Sequence, residues 1–155
     1  MSSSVENYIP YQPNAQGLTE VLIDLKSTIP TQITSKVTGY ETTCFENVTQ
    51  GDAVYVRASD GQVGKAIAND TFDKALVAGI AETTKPAGQS VKVIVAGIVA
   101  TSGLNTGDQY FLSAASAGAI VETPPSTAGQ YVTRVGEAGS TGQFIVNAER
   151  PILLS

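Results

Sequence analysis

The sequence predicts an all-β fold: a small β-barrel or sandwich of short antiparallel strands, built from two duplicated halves and preceded by an extended N-terminal arm. Three observations predict it. Short runs of alternating, β-branched residues recur at regular spacing after Phe45. Glycine-containing turns separate these runs, and the chain has 15 glycines. One strand-and-turn motif also occurs twice along the chain.

The 155 residues suit one domain with an appended segment. We expect residues 1–40 to be the arm and residues 41–155 to be the β-barrel-like domain. In the arm, Pro10 and Pro13 favour extended chain. Residues 18–25 fit a short helix and a strand equally well, and Pro30 ends either one. The run "TQITSKVTGYETTCF" then alternates and predicts a strand.

The domain reads as a series of hairpins. The strands "DAVYVRA" and "VGKAIA" flank the tight turn "SDGQ". The strands "ALVAGIAET" and "SVKVIVAGIVA" flank "TKPAGQ", and "DQYFLSA" with "GAIVET" forms another hairpin. The strands "QYVTRVGEA" and "QFIVNAE" follow the loop "PPSTAG". In "NDTFDKA" we expect one helical turn with Asp70 as its cap.

The repeat aligns "VTQGDAVYV" (residues 48–56) with "LNTGDQYFL" (residues 104–112). Further on, "LVAGIAE" aligns with "VTRVGEAG" at nearly the same offset. Each copy reads Gly-Asp, strand, turn, strand, loop, then an apolar run with an internal glycine. One interpretation is a duplicated half-barrel with pseudo-twofold symmetry. The alternative is that β-proteins reuse the same turn chemistry by chance.

Charge and cysteine content argue against several partner classes. The net charge is −5, and the nine basic residues are scattered, which argues against direct nucleic-acid binding. No apolar run approaches the roughly 20 residues that a membrane span requires. Cys44 is the one cysteine, so no intrachain disulfide forms. We expect it to be a small buried hydrophobe and not a reactive thiol.

Catalytic chemistry is sparse. Without histidine, the usual triads are impossible and zinc ligands are few. Asp70 with Asp73, and Asp52 with Asp108, are the carboxylate pairs to weigh. We interpret Asp52 and Asp108 as turn residues that follow glycine. The string "GQVGKA" lacks the spacing of a phosphate loop. The sequence therefore predicts no enzyme, cofactor or metal site.

Two features remain as candidate contacts. Tyr8, Ile9, Pro10 and Tyr11 have no evident place in a core, and tyrosine is enriched in interface anchors. The arm either contacts a partner through them or folds back on its own barrel. Three glycines lie inside strands and indicate either close backbone approach or a bulge or bend. They are Gly79, Gly97 and Gly136.

The string "YFLSAASAGAIVETPPSTAGQYVTRVGEAGSTGQFIVNAERPILL" (residues 110–154) resembles a C-terminal segment of structural proteins from tailed bacteriophages. The portion "GDAVYV…VGKAIA…ALVAGIA" resembles the first half of the same module. The arrangement of a strand after a turn is also similar to that in capsid decoration (cement) proteins. The resemblance covers about residues 46–155, and "TPPSTAGQYVTRVG" is its most distinctive part. It does not cover residues 1–40.

This resemblance implies a virion protein that is made in the host cytoplasm and binds the major capsid protein on the capsid surface. It also implies a homo-oligomer, a dimer or a trimer. The alternative is a receptor- or glycan-binding module of a tail fibre or baseplate. Tyr110, Tyr131 and Phe144 alternate with polar residues, so either an exposed aromatic cluster or core strands would account for them.

Overall fold

The structure, a computed structural model, describes residues 37–155. The first strands are β1 (Thr38–Thr43), β2 (Ala53–Val56) and β3 (Val63–Lys65), followed by helix α1 (Phe72–Ala75). Next come β4 (Gly79–Ala81), β5 (Ser90–Ala100), β6 (Gln109–Leu112) and β7 (Ile120–Val121). The last are β8 (Tyr131–Val132), β9 (Arg134–Ala138), β10 (Gln143–Asn147) and β11 (Ile152–Leu153). Of the predicted arm, residues 1–36 lie outside this range, whereas residues 38–40 belong to β1.

Within residues 37–155 the strands form one nine-stranded sheet and one small two-stranded sheet. The large sheet has the order β3-β2-β4-β5-β10-β9-β6-β7, and β1 also pairs with β5. All these pairings are antiparallel. The sheet curls into a half-barrel. The small sheet pairs β11 with β8. The predicted all-β class of short antiparallel strands is confirmed.

The two copies of the sequence repeat occupy equivalent places in the sheet. Apart from β1, the strand order runs through equivalent strands from its two ends, and β5 meets β10 at the centre. Gly51 donates its N–H to the carbonyl of Ala81 at 2.9 Å, and Gly107 donates to Ala138 at 2.8 Å. Both glycines have positive φ, 93° and 89°. The predicted repeat is thus confirmed in the backbone, because two chance turns would not share the same long-range partners.

Two of the three strand glycines lie where neighbouring strands approach closely. A Cβ on Gly79 would lie 2.3 Å from the carbonyl oxygen of Ile94, and a Cβ on Gly136 would lie 2.1 Å from that of Ile145. These positions are equivalent in the two halves, and only glycine fits so close to a backbone. Gly97 instead has a φ of 116°, a conformation that favours glycine. Close approach therefore accounts for the first two and backbone conformation for the third.

Buried side chains form two clusters because strands of the first half are buried on both faces. In β2, Val54 belongs to the smaller cluster, while its neighbours Ala53 and Tyr55 belong to the larger one. In β4, Ile80 and Ala81 divide in the same way. The smaller cluster consists of Cys44, Val48, Val54, Val63, Ala81, Val91 and Val93. The larger cluster draws on both halves and includes Phe144, Leu112 and Val135, which are fully buried.

Backbone hydrogen bonds join the two ends of the curled sheet. Ala68 donates its N–H to the carbonyl of Ser113 at 3.0 Å, and Gly118 donates to Ala66 at 2.7 Å. Nearby, the buried hydroxyl of Thr133 donates to the carbonyl of Ala75 at 2.9 Å. Such bonds satisfy polar groups that would otherwise be costly to bury. They hold the β6–β7 hairpin against the segment that follows β3.

The three predicted hairpins are confirmed, since β2 pairs with β3, β4 with β5, and β6 with β7. The predicted cap of the helical turn is wrong. Thr71 caps α1, because its backbone is extended and its hydroxyl accepts the N–H of Lys74. Asp70 lies one residue too early, and its carboxylate instead pairs with the Lys74 ammonium at 2.7 Å.

The "SDGQ" turn between β2 and β3 is held by charge as well as by backbone bonds. Gly61 adopts a φ of 76° and donates its N–H to the carbonyl of Arg57 at 2.8 Å. The guanidinium of Arg57 forms an ion pair with Asp60, whose carboxylate also accepts the N–H of Gln62. The hydrogen bond from Arg57, with that of Gln62, lowers the pKa of Asp60.

We predict that Gly136→Ala destabilises the protein by about 1–3 kcal/mol, because the new methyl group would overlap the Ile145 carbonyl. Urea unfolding monitored by circular dichroism measures the effect. Gly139→Ala is the matched control, since its Cβ would meet side-chain atoms at 3.4 Å or more. We expect that variant to stay within about 0.5 kcal/mol of the wild type. Equal losses in the two variants would contradict the close-approach interpretation.

We also predict that Asp60→Asn lowers the melting temperature at neutral pH. A carboxylate whose pKa is lowered on folding stabilises the fold above its unfolded pKa, and this contribution is lost as the pH falls through the folded pKa. The wild type and the variant should therefore converge in strongly acidic buffer. Thermal unfolding between pH 7 and pH 2 measures the difference. A constant difference across this range would contradict a role for the ion pair.

Candidate interaction surfaces

The aromatic segment that the sequence singles out cannot be placed. Tyr8, Ile9, Pro10 and Tyr11 all lie outside the described residues. Their role in partner binding therefore stays a prediction, and so does the alternative that the arm packs on its own barrel.

Of the four carboxylates weighed as catalytic candidates, those of Asp52 and Asp70 have structural partners. The Asp52 carboxylate accepts the N–H of Thr49 at 2.8 Å, which confirms its role in the turn. In the equivalent turn, Asp108 uses its backbone, donating its N–H to the carbonyl of Asn105 at 3.2 Å. Among residues 37–155, His, Cys, Asp and Glu side chains form no group of three that could hold a metal ion. "GQVGKA" lies in the β2–β3 hairpin and not between a strand and a helix.

Cys44 is fully buried, as the sequence predicts. Its thiol packs in the smaller cluster and lies 3.2 Å from the carbonyl oxygen of Pro86 and 3.4 Å from that of Gln89. A thiol in such surroundings is a small apolar side chain with a weak hydrogen bond. The side chain thus contributes to packing at the end of β1.

Two of the three aromatic residues proposed for glycan contact lie in the core. The rings of Tyr110 and Phe144 are buried and pack edge to face, with centroids 6.0 Å apart. The Tyr110 hydroxyl donates to the Glu122 carboxylate at 2.9 Å and accepts the N–H of Asn105. Burial, together with that carboxylate, raises the pKa of Tyr110. Tyr131 is half-buried.

Two adjacent grooves lie near the start of the second half, and the smaller one also borders the first half. They enclose about 440 and 600 Å³ and share Leu104 and Ile120 as lining residues. The smaller groove is bordered by Gln50 and Asp52, the larger one by Glu122. These volumes fall within the usual range for small-ligand sites. Their polar side chains largely bond to the protein itself, however, as Asp52 and Glu122 show.

The exposed large apolar residues of the described chain fall into two groups. The first group comes from β1, β5 and β10 and the residue before β1: Val37, Tyr40, Val95, Ile98 and Ile145. The second group comes from β2, α1 and β11 and the residue after α1: Val56, Phe72, Leu76, Ile152 and Leu153. Grouped apolar exposure of this kind marks interaction sites more often than single exposed residues do.

Two members of the first group, Ile98 and Ile145, belong to a continuous line of side chains on the outer face of the sheet. Cross-strand pairs link Gln109 to Glu137, Glu137 to Ile145, and Ile145 to Ile98. Directly paired residues lie on the same face, so these four side chains cross β6, β9, β10 and β5 as one row. We call them the outer row. Ile145 is 37% and Ile98 42% exposed.

The first half has an equivalent row, and it is buried. Ala53 pairs with Ile80, and Ile80 pairs with Ile94, at positions that match Gln109, Glu137 and Ile145. The three residues are at most 1% exposed because they lie in the larger cluster. The second half has polar residues at two of the three positions but keeps an isoleucine at the third. The fold of residues 37–155 does not cover that isoleucine.

The second group is centred on the small sheet. Leu153 pairs with Tyr131 across β11 and β8, and Phe72 of α1 packs edge to face on the same ring at 6.0 Å. The guanidinium of Arg150 lies 5.6 Å from the centre of the Phe72 ring. Ile152 and Leu153 are 66% and 58% exposed. We call Phe72, Arg150 and Leu153 the C-terminal patch.

Neither surface is evident from the sequence alone. Alternation in "QFIVNAE" places Ile145 and Phe144 on opposite faces of the strand, but the structure decides which of the two is exposed. The C-terminal patch gives no signal in the sequence, because helix, strand and Arg150 meet only through tertiary contacts.

Comparison with protein-family models finds no match, and no curated protein matches the chain either. Within residues 37–155, no helix is long and apolar enough to cross a bilayer. The resemblance to bacteriophage structural proteins therefore stays a prediction from the sequence.

We predict that the Cys44 thiol does not react with Ellman's reagent in the native protein, because its side chain is fully buried. One thiol per chain should titrate after unfolding in guanidinium chloride. An exposed control comes from Ser102→Cys in a Cys44→Ser background, which should react at once. Rapid reaction of native wild-type protein would mean that the smaller cluster opens readily.

Proposed function

We propose that the protein is a capsid decoration protein of a tailed bacteriophage, which binds the major capsid protein on the head and stabilises the shell. The observation that carries this proposal is the distinctive string "TPPSTAGQYVTRVG" within the longer resemblance over residues 46–155. The proposal extends to localisation on the capsid surface and to a non-enzymatic role.

Two features of the fold support the proposal, namely its hydrogen-bonded curled sheet and its exposed apolar residues. Residues 37–155 form a curled antiparallel sheet whose ends are joined by backbone hydrogen bonds, which makes a suitable rigid module. Two separate groups of exposed apolar residues give it surface for more than one contact. A molecule that sits between neighbouring subunits of a shell requires both properties.

Multivalency explains how such a protein would bind a shell strongly. Many weak contacts repeated on a symmetric lattice give high avidity without one large interface. A protein that binds the assembled shell but not its free subunits also shifts the equilibrium toward the shell. Catalytic groups are not needed for either effect.

The alternative function is receptor or glycan binding on a tail. Burial of two of its three candidate aromatic side chains weakens the argument for it. It relied on exposed aromatic side chains, and Tyr110 and Phe144 lie in the core. Tyr131 stays partly accessible, but it contacts Phe72. A glycan array probed with the purified protein tests this alternative, and reproducible binding to one glycan class would revive it.

Immunogold electron microscopy of phage particles, with antibody against the purified protein, is the direct test. Gold spread over the head would support capsid decoration. Gold confined to the tail tip would overturn it and favour receptor binding. Particles without gold would show that the resemblance does not extend to the virion.

We predict that deletion of residues 1–15 abolishes binding to heads that lack the protein, because the deletion removes the Tyr8–Tyr11 segment. Cosedimentation with such heads measures binding, and circular dichroism verifies the fold. Deletion of residues 1–7, which retains Tyr8–Tyr11, is the matched control and should bind normally. Unchanged binding by the longer deletion would remove the arm from the mechanism.

A further inference from the structure

The outer row combines apolar surface with an acid. Glu137 lies between Gln109 and Ile145 in the row, and Ile98 extends the apolar part. Within residues 37–155, the Glu137 carboxylate forms neither an ion pair nor a side-chain hydrogen bond. The row therefore offers a partner two isoleucines and one unneutralised carboxylate.

The C-terminal patch combines apolar surface with a base. Arg150 is exposed and lies over the Phe72 ring, next to the exposed side chains of β11. Among the described residues it forms no ion pair, whereas Arg134 nearby is neutralised by Glu149 at 3.3 Å. The patch therefore offers one aliphatic side chain, one aromatic ring and one unneutralised guanidinium.

The small sheet also has exposed apolar side chains on its strand β11. It consists of two strands of two residues each, joined by pairs between Ile152 and Val132 and between Leu153 and Tyr131. Two-stranded sheets are marginal unless another surface packs on them. Ile152 and Leu153 point to opposite faces, yet both are more than half exposed. An additional surface against the face of β11 that carries Leu153 would bury that side chain.

We propose that the outer row of one copy of this chain binds the C-terminal patch of a second copy, with Glu137 of the row facing Arg150 of the patch. The two surfaces carry opposite charges, and each charge lies beside apolar side chains. Complementary charge and an apolar centre are common features of specific interfaces. The first half supports the assignment, because its equivalent row, Ala53, Ile80 and Ile94, is covered by apolar side chains of the chain itself.

The predicted contact is heterologous, since it joins two different surfaces. Such contacts produce closed rings when the rotation between copies closes, and open filaments when it does not. Each copy in a ring would use both surfaces, which accounts for two apolar groups on one small domain. The inference holds whether or not the chain binds a phage head.

A charge-exchange experiment on the full chain tests the contact by sedimentation velocity over a range of concentrations. Wild type should form a discrete oligomer. Glu137→Arg and Arg150→Glu should each weaken assembly at least about tenfold in dissociation constant, since close interfacial charge pairs couple by about 1.5 kcal/mol or more. The double variant should restore assembly, because the exchanged charges again attract. Lys85→Glu, which alters charge outside both surfaces, should assemble like the wild type.

Ile98→Thr tests the apolar part of the contact without removing a β-branched residue. It should weaken assembly while leaving the circular dichroism spectrum and the melting temperature of the monomer unchanged. A wild type that stays monomeric at high concentration would overturn the proposal. So would single variants that assemble normally, or a double variant that stays dissociated. Monomeric wild type whose head binding falls in these variants would assign the surfaces to a capsid partner instead.

Discussion

The structure depends on strand β5, the longest strand of the described chain. Its eleven residues pair with β1 along one edge and with β4 and then β10 along the other, so it joins the two halves into one sheet. The pairing requires close backbone approach from β4, which Gly79 permits beside the Ile94 carbonyl. Gly136 permits the equivalent approach between β9 and β10. A side chain at either glycine would force adjacent strands apart, and the buried residues on them would lose their contacts.

The repeat has different consequences in the two halves. Equivalent turns and registers produce the same backbone twice, but the equivalent rows of side chains differ in burial. Ile80 of the first half is buried in the core, whereas Glu137 at the matching position is partly exposed and acidic. At these matching positions, the side chains of the first half thus face the interior and those of the second half face the surface. This asymmetry explains how a chain with little catalytic chemistry can carry distinct contact surfaces.

Much of the fold was predictable because it depends on local patterns. Asp-Gly and Pro-Ala-Gly turns fix the two hairpins of the first half, since only certain residues adopt their backbone conformations cheaply. Cys44 was correctly predicted to be buried. The cap of α1 was misassigned by one residue, because Asp70 and Thr71 are both good caps and only the backbone angles distinguish them. The role of Tyr8–Tyr11 in partner binding remains a prediction, because these residues lie outside residues 37–155.

The sequence by itself determined the strand pattern, the turns and the internal repeat, because alternation and glycine placement act over a few neighbouring residues. It also determined that catalytic groups are scarce, since composition is independent of folding. The tertiary structure alone decided which face of each strand is covered and which distant residues meet. Whether Ile145 is exposed depends on the curl of the sheet, and Arg150 reaches Phe72 through long-range pairing of β11 with β8. Such contacts join residues far apart in the chain, and no local pattern encodes them.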